Sequence, residues 1–254
     1  MRILFEDSQI LVCYKEAGLP VQSARIGTKD LVSILKNYLW EKSGNKGEPY
    51  LGVVHRLDQP VEGLLVFART SRAAAALSAQ VADGRMKKIY QAVTWKEASG
   101  DGDSERNWQE KGVLEDYLYK DSRTNCSRIV SKGTGGAKLA RLEYEVLKTL
   151  PEAGGELDLV QIHLLTGRHH QIRVQMAGAG MPLAGDRKYA AGRIPEGMMK
   201  DSLALCAVSL ELIHPGTGKR MTFQCKPEGS GFRRFADGGS PEGNAETCWS
   251  GAYV

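Results

Sequence analysis

Short segments in which apolar and polar residues alternate recur along most of the chain, whereas three segments repeat apolar residues at helical spacing. The alternating and continuously apolar segments predict strands, because successive side chains of a strand point to opposite faces of a sheet. These predicted strands are residues 2–6, 9–14, 51–54, 64–68, 88–95, 112–119, 125–131, 139–148, 157–165, 203–213 and 219–226. Many strands with few helices predict an α+β fold, in which a large mixed, mainly antiparallel sheet is flanked by helices and loops.

The three segments with helical spacing predict helices with recognisable ends. Thr28 is expected to cap a helix whose apolar residues recur over 31–39. Ser71 is expected to cap a second helix, which ends at Gly84. The third helix is predicted over residues 168–177, because apolar residues lie one helical turn apart there and glycines follow.

Polar segments divide the chain without suggesting a second domain. Residues 96–111 are polar, glycine-rich and charged, which predicts a long loop, and residues 133–136 predict a hairpin turn. The final segment, 236–254, is rich in glycine, serine, proline and glutamate, and we expect it to be flexible. The remaining residues, 1–235, are predicted to form one catalytic domain.

Composition indicates an ordinary globular protein of the cytoplasm. Of the 254 residues, 42% are apolar and 25% are charged, and no apolar run reaches half of the roughly 20 residues that a membrane span requires. The five cysteines are an odd, scattered set, which favours reduced thiols over a disulfide framework. The net charge of +4 permits a polyanionic partner but does not require one.

Asp58 is the strongest candidate for chemistry, because it lies between two apolar runs. Burial raises the pKa of a carboxyl group by up to about 3 to 5 units, and a guanidinium within about 4 to 6 Å lowers it by roughly 1 to 3 units. A charged nucleophile at this position therefore needs an arginine. Arg56 points to the opposite side if the stretch is extended, so the more distant Arg168 or Arg173 is favoured.

Several motifs resemble, in order, those of the RluA-type RNA pseudouridine synthases. They are His55-Arg56-Leu57-Asp58, Gly63 to Ala68, Lys88-Ile89-Tyr90, Thr166 to Arg173 and Gly180 to Tyr189. The resemblance covers about residues 1–227. It implies a pseudouridine synthase fold and isomerisation of specific uridines to pseudouridine in structured ribosomal or transfer RNA, with no cofactor and no metal.

The resemblance also implies roles for individual residues. The aspartate matching Asp58 is the covalent catalyst, the tyrosine matching Tyr90 packs against the target base, and the arginine matching Arg173 pairs with the aspartate. The arginine matching Arg56 enters the RNA helix as the target nucleotide leaves it. We therefore predict Asp58, Tyr90 and Arg173 as catalytic residues. The predicted substrate-binding residues are Arg56, His55, Arg168, Ile172, Lys88 and Gln171.

RNA is the partner that this interpretation predicts. Basic clusters suit a phosphate backbone, and they lie at residues 85–88, 168–173, 187–188 and 233–234. A nucleotide must leave its helix to be modified, and stacking on Tyr90 with phosphate contacts would offset that cost. We expect no membrane partner, no obligate protein partner and a monomer. We also expect no N-terminal S4-type RNA-binding domain, because Asp58 comes early in the sequence.

Two departures from the family pattern concern residues near Asp58. Val61-Glu62 stands where the family usually has Thr-Ser, and Lys15-Glu16-Ala17-Gly18 stands where it has Lys-Pro-x-Gly. Glu62 is expected to alter loop packing or RNA contacts, which puts transfer of substrate preference in doubt. The route of attack, at C6 of uracil or C1′ of ribose, stays open.

Other classes of function fit the sequence less well. A non-catalytic RNA-binding or RNA-chaperone protein with the same cleft would be expected to lack Asp58, Tyr90 or Arg173, and all three are present. A hydrolase that removes a base would need a second acid, for which Glu62 is the only nearby candidate. A metal site is disfavoured because the adjacent histidines 169 and 170 lie on different faces of a helix.

Overall fold

A computed structural model describes residues 2–24, 27–98, 109–190 and 192–236. Within these residues eleven strands form a single sheet. They are β1 (Arg2–Glu6), β2 (Ile10–Lys15), β3 (Gly52–Val53), β4 (Glu62–Ala68), β5 (Lys87–Glu97), β6 (Lys111–Asp121), β7 (Cys126–Val130), β8 (Lys138–Glu152), β9 (Gly155–Leu164), β10 (Leu205–Ile213) and β11 (Arg220–Gln224).

The sheet is mixed and mainly antiparallel, which confirms the predicted fold class. Its order is β1-β2-β4-β10-β5-β9-β8-β6-β7, with β3 paired to β4 and β11 to β10. Only the β4–β10 pair is parallel among the described strands. The long crossover between these two central strands carries five of the eleven strands and the helix that faces Asp58.

Helices cover both faces of the sheet around its first strands. They are α1 (Leu31–Lys42), α2 (Ser71–Ala82), α3 (Gln171–Gly178) and the single turns α4 (Glu196–Met199) and α5 (Arg233–Ala236), the last preceded by a 3₁₀ turn over Ser230–Phe232. Alternate residues of β2 and β4 pack against α2 on one face and against α1 and α3 on the other. Strands β2 and β4 are therefore buried along their whole length, which explains their continuous apolar sequence.

All three predicted helices exist, but each begins elsewhere than the sequence suggested. Asp30, not Thr28, caps α1, since its carboxylate accepts a hydrogen bond from Ser33 N at 2.8 Å. Thr70, not Ser71, caps α2 through its hydroxyl. The third helix starts at Gln171 instead of residue 168, because His170 has a left-handed backbone with φ of 52°.

The predicted hairpin turn at residues 133–136 is wrong. This segment joins β7 to β8, which lie on opposite edges of β6 and do not pair with each other. The real hairpin partner of β7 is β6. Most of the predicted loop at 96–111 and nearly all of the predicted flexible tail at 236–254 lie outside the described residues.

The described helices include none that is long and apolar enough to cross a membrane. Four of the cysteines fall in the described part of the chain, and all four carry free thiols; they are Cys13, Cys126, Cys206 and Cys225.

Candidate active site

Asp58 lies on the loop between β3 and β4, at the mouth of a cavity of about 320 Å³. Its side chain is 28% exposed, so one edge of the carboxylate faces the cavity. Hydrogen bonds to the backbone carbonyl groups of the loop hold it in place. Val61 N donates to Asp58 O at 3.0 Å, and the buried Lys15 Nζ donates to Gln59 O at 3.0 Å and to Leu19 O at 2.9 Å. The carboxylate therefore has a fixed position at the cavity mouth.

Arg173 is the arginine that reaches Asp58. It lies on the buried face of α3, and its Nη1 is 3.4 Å from Asp58 Oδ2. A second carboxylate holds the same guanidinium more tightly. Asp186 Oδ2 accepts from Nε at 2.8 Å and its Oδ1 accepts from Nη2 at 2.7 Å. Burial opposes the charge of Arg173, but the Asp186 contacts outweigh burial and raise the pKa of the guanidinium.

Asp186 is positioned by the turn that follows α3. Its Oδ1 also accepts from Lys188 N at 2.9 Å and from Tyr189 N at 3.2 Å, so the carboxylate is saturated with donors. Gly185 precedes it with φ of +75°, and a Cβ there would collide with the backbone of Ser202. The Gly-Asp pair therefore builds a tight turn that brings a buried carboxylate under Arg173.

His170 is the other side chain beside Asp58. Its Nε2 lies 3.5 Å from Asp58 Oδ2, and its Nδ1 lies 2.7 Å from the hydroxyl of Tyr189. Burial lowers the pKa of His170 to about 4, although the nearby Asp58 charge acts in the opposite direction. The imidazole is therefore neutral near pH 7, and the cation within ion-pair distance of Asp58 is Arg173.

Tyr90 lies on the buried side of the cavity, 6% exposed, on the central strand β5. Burial raises the pKa of its phenol, so the ring is neutral. Ile172 and Leu205 line the same cavity, and both are buried. An aromatic ring with aliphatic neighbours opposite a carboxylate suits a flat, neutral ring that must be brought close to the acid.

Lys88 brings an ammonium group to this cavity. It is two residues before Tyr90 on β5, so the two side chains share one face of the sheet. Burial lowers the pKa of Lys88, and among the described residues no acidic side chain lies within ion-pair distance of it. A partly buried cation with no acid within ion-pair distance suits an anionic or carbonyl-rich ligand.

His55 and Arg56 sit on the Asp58 loop with different surroundings. His55 Nε2 accepts a hydrogen bond from Val66 N at 3.1 Å, and burial lowers its pKa to about 3. This neutral histidine ties the loop to β4. Arg56 is exposed and lies at the rim of the cavity and of a neighbouring groove of about 740 Å³.

Gln171 and Arg168 form the turn that leads into α3. Gln171 Oε1 accepts from Thr166 Oγ1 at 2.8 Å and from Arg168 N at 3.0 Å, and its Nε2 donates to Arg141 O at 3.1 Å. The buried amide is thus engaged by the turn itself. Arg168 is exposed at the cavity, with its Nε donating to Leu139 O at 2.8 Å. Gln171 therefore orders the turn that presents Arg168.

The neighbouring groove is lined by more cations than acids. Its charged lining residues are Arg56, Lys120, Arg173, Arg187 and Lys188, against Asp58 and Asp201. The groove opens onto the Asp58 cavity through residues that line both, including Asp58 itself. A polyanion that lies in the groove can therefore deliver one of its units to Asp58.

Glu62 does not face the cavity. It is buried at the start of β4, where it accepts hydrogen bonds from Tyr14 OH at 2.7 Å and from Gly229 N at 2.9 Å. This departure from the family pattern therefore acts on the packing of residues 228–229, and not on the cavity. It also leaves the base-removing hydrolase without its only nearby second acid.

Three residues beside Asp58 were given no role by sequence reasoning: Asp186, His170 and Tyr189. Asp186 and Tyr189 belong to the motif Gly180 to Tyr189. An aspartate whose carboxylate accepts a hydrogen bond from the backbone N–H two residues later is typical of a turn. His170 was part of the basic cluster at 168–173. Its left-handed backbone has no signature in the sequence beyond the tolerance of histidine for that conformation. In the described ranges, no three histidine, cysteine or acidic residues cluster as metal ligands would.

Known proteins are similar to this chain in sequence and in fold. The family profile described as RNA pseudouridylate synthase matches residues 9–178. Ribosomal large subunit pseudouridine synthase D of Zymomonas mobilis is 34% identical over 234 residues, which cover 89% of this chain and 69% of the relative. The dual-specificity RNA pseudouridine synthase RluA of Escherichia coli is 33% identical over 226 residues, covering 87% and 91%.

Solved structures agree in architecture. Human RNA pseudouridylate synthase domain containing 4 superposes with a TM-score of 0.67 at 23% identity, over 89% of this chain and 88% of that one. At that identity the likeness concerns the fold alone. Together with the matched sequence profile and the relatives above 30% identity, it establishes that the chain belongs to the RNA pseudouridylate synthase family, enzymes that convert uridine to pseudouridine in RNA.

Proposed function

We propose that Asp58 is the nucleophile with which this enzyme isomerises selected uridines in folded ribosomal or transfer RNA. One observation carries the proposal: the Asp58 carboxylate opens into a cavity that also holds Tyr90, with Arg173 Nη1 3.4 Å from its Oδ2. The guanidinium lies beside the carboxylate, whose charged form is the form that attacks. Substitution of Asp58 should therefore stop the reaction and leave the fold intact.

The reaction that these residues perform is balanced without a co-reactant. The carboxylate attacks the uracil ring at C6 or the ribose at C1′, and the C1′–N1 bond breaks. The base turns, a C1′–C5 bond forms, the proton at C5 leaves and N1 gains a proton. Asp58 is released unchanged, so a single acid and a cavity in which the base can turn are sufficient.

The cavity accepts one nucleotide at a time, which requires that the target leave its helix. Extrusion of a base costs a few kcal/mol, and stacking on an aromatic ring returns about 1–3 kcal/mol. Tyr90 supplies that ring, Ile172 packs at the edge, and the ammonium of Lys88 faces the carbonyl oxygens or the phosphate. Arg56, exposed at the rim, is suited to fill the vacated place in the helix.

The groove beside the cavity is proposed to bind the RNA backbone. Lys120, Arg187 and Lys188 line it; Lys120 also lines the Asp58 cavity, whereas Arg187 and Lys188 line the groove without lining that cavity. Binding through such cations weakens steeply as salt rises. Free thiols at Cys13 and Cys206 are consistent with action in a reducing cytoplasm, and we propose that the enzyme acts there as a monomer.

A non-catalytic RNA-binding function is the alternative, and no observation favours it. Asp58, Tyr90 and Arg173 all reach one cavity, and a pure binding protein gains nothing from keeping a carboxylate where phosphates approach. The difference between the two functions is turnover, and turnover is directly measurable.

The test uses unmodified transcripts of ribosomal and transfer RNA labelled with tritium at C5 of uridine. Formation of the C1′–C5 bond releases tritium to water, and nucleoside analysis identifies the product. Wild-type protein should release tritium and form pseudouridine, and Asp58→Asn should do neither. Glu156→Gln, an equivalent change at an exposed site on β9, should match the wild type. Tritium release by Asp58→Asn at the wild-type rate would refute the proposal.

A further inference from the structure

The hydrogen bonds around His170 determine which of its nitrogens carries the proton. The backbone N–H of Ser127 donates to the Tyr189 hydroxyl oxygen at 2.8 Å. The hydroxyl proton is thereby directed to its other neighbour, His170 Nδ1, at 2.7 Å. Nδ1 is then an acceptor, so the proton of the neutral ring lies on Nε2. Tyr189 thus fixes the tautomer of His170.

The protonated nitrogen faces the catalytic carboxylate. Nε2 lies 3.5 Å from Asp58 Oδ2, which is also the oxygen that Arg173 Nη1 approaches at 3.4 Å. The opposite tautomer would place a lone pair of His170 against the negative oxygen. Within the part of the chain that the structure describes, Asp58 Oδ1 has no hydrogen-bond partner.

The backbone of His170 is strained in a way that serves this contact. The residue has φ of 52° at the N-cap of α3, yet its side chain makes no capping hydrogen bond. A non-glycine residue in the left-handed region costs about 1–2 kcal/mol, and such residues cluster at functional sites. The imidazole is instead held between Tyr189 and Asp58. The ring of His169 stacks on it at 3.8 Å and restricts its rotation.

We propose that His170 is a positioning residue for the nucleophile: a neutral imidazole, set in its Nε2–H tautomer by Tyr189, that fixes Asp58 together with Arg173. Both donors act on Oδ2, which leaves Oδ1 as the oxygen that attacks. The inference rests on the proposed role of Asp58. A neutral donor orients the carboxylate without adding a second positive charge, and so preserves its nucleophilicity more than a second cation would.

Tyr189 offers a way to test this, because its ring and its hydroxyl make different contacts. The ring lies 5.2 Å from the Arg173 guanidinium and packs edge-on against the His170 ring at 5.6 Å, whereas the hydroxyl bonds His170 Nδ1 and accepts from Ser127 N. Tyr189→Phe therefore keeps the contact with Arg173 and removes the group that sets the tautomer. We expect kcat to fall about tenfold and KM to change less than about twofold, since RNA contacts are untouched.

A double-mutant cycle shows whether Tyr189 acts through His170. The side-chain amide introduced by His170→Gln can donate an N–H to Asp58 whether or not the Tyr189 hydroxyl is present. His170→Gln should therefore retain more activity than His170→Leu. In the His170→Gln background, Tyr189→Phe should lower kcat by less than about twofold, in contrast to its effect on the wild type. His163→Gln on β9, 45% exposed, is the matched surface control.

Direct observation of the tautomer does not depend on any variant. The ¹⁵N shifts of the His170 ring in wild-type protein should report a proton on Nε2 and a lone pair on Nδ1. A proton on Nδ1 would overturn the inference, as would equal losses for Tyr189→Phe in both backgrounds. If Asp58→Asn is inactive while His170→Leu keeps wild-type kcat, only this inference fails. If wild-type protein releases no tritium, the proposed function itself fails.

Discussion

Two loops each present one aspartate to the same arginine, and they hold it very differently. Asp186, on the turn after α3, is buried and makes two hydrogen bonds to Arg173 at 2.7 and 2.8 Å. Asp58, on the loop before β4, is 28% exposed and makes one contact at 3.4 Å. Asp186 is therefore the acid that holds Arg173 in place, and Asp58 is the acid proposed to use its positive charge.

The difference has a chemical reason. A carboxylate saturated with short, charge-assisted hydrogen bonds is stable and therefore a weak nucleophile. Because Asp186 fixes the guanidinium from the buried side, Arg173 keeps its position whether or not Asp58 is bonded to it. Asp58 then receives the positive field of Arg173 while its second oxygen stays available to substrate. The site thus separates orientation from reactivity.

The largest effects are expected from Arg173→Met, which removes the guanidinium from both aspartates. We expect kcat to fall about 10²–10³-fold, because Asp58, the proposed nucleophile, loses its charged partner. Stability should fall by about 3–5 kcal/mol, because Asp186 is left buried without a counterion. The measurements are single-turnover tritium release and urea unfolding. Arg173→Lys, which keeps the charge, is the milder variant if the methionine protein does not fold.

RNA affinity distinguishes this role of Arg173 from phosphate binding. Arg173→Met should change the Kd for RNA by less than about threefold. Arg187→Met, in the groove, should raise the Kd and make it depend less steeply on salt concentration. Equal losses of kcat and affinity in Arg173→Met would make Arg173 a phosphate ligand.

A pair of isosteric changes should separate the two aspartates. Asp186→Asn is expected to lose about 2–4 kcal/mol of stability, since Arg173 keeps only the distant charge of Asp58 in a buried site. Asp58→Asn should lose none, because the side chain is partly exposed and weakly bonded, yet it should be inactive. Thermal unfolding and tritium release measured on both proteins test this. Equal stability losses in Asp186→Asn and Asp58→Asn would contradict the difference between the two loops.

The sequence predicted the sheet well because strand alternation is a local property. It predicted the start of α3 poorly because that start depends on contacts. His170 adopts a left-handed backbone, and Gln171 uses its side chain to bond Thr166 and Arg168 N, so no helical turn precedes residue 171. Likewise, glycines at 133–136 indicate a turn, but not which strands they join.

Within the site, local reasoning predicted Asp58 as the candidate acid with a distant arginine as its partner, and the structure places Arg173 beside Asp58. It did not find that Arg173 serves two acids. Asp186 follows Arg173 by thirteen residues, and only the fold-back at Gly185 brings it beneath the guanidinium. Contacts of this kind depend on tertiary structure. The residues around Asp58 in the sequence therefore do not predict them.

The pH dependence of stability should reveal the neutral histidines on the Asp58 side. The pKa values of His170 and His55 are lowered by burial to about 4 and about 3, from about 6.5 in the unfolded chain. The unfolded state therefore binds protons first as the pH falls, so stability is full above pH 6.5 and declines below it. Between pH 6.5 and 5.5 we expect a loss of about 1 kcal/mol for each histidine.

Burial also lowers the pKa of His169, which adds a loss in the same direction. Urea unfolding across this interval measures the slope, and His170→Gln should remove the share that belongs to His170. Asp186 contacts no histidine among the described residues, so Asp186→Asn should leave the slope unchanged. A flat profile between pH 6.5 and 5.5 would mean that the pKa values of these rings are not lowered in the folded protein.

Glu62→Gln extends the comparison to a third acid and carries the smallest expected effect. Glu62 is buried four residues after Asp58, but its partners are Tyr14 OH and backbone N–H groups instead of an arginine. The amide oxygen of the glutamine can accept from Gly229 N while its NH2 group donates to the Tyr14 hydroxyl oxygen, so one charge-assisted hydrogen bond is replaced by a weaker one and we expect a loss of about 1 kcal/mol in urea unfolding. Because Glu62 points away from the cavity, kcat should stay within about twofold of wild type. A large fall in kcat at unchanged stability would place this acid in the chemistry, although it does not line the cavity that holds Asp58.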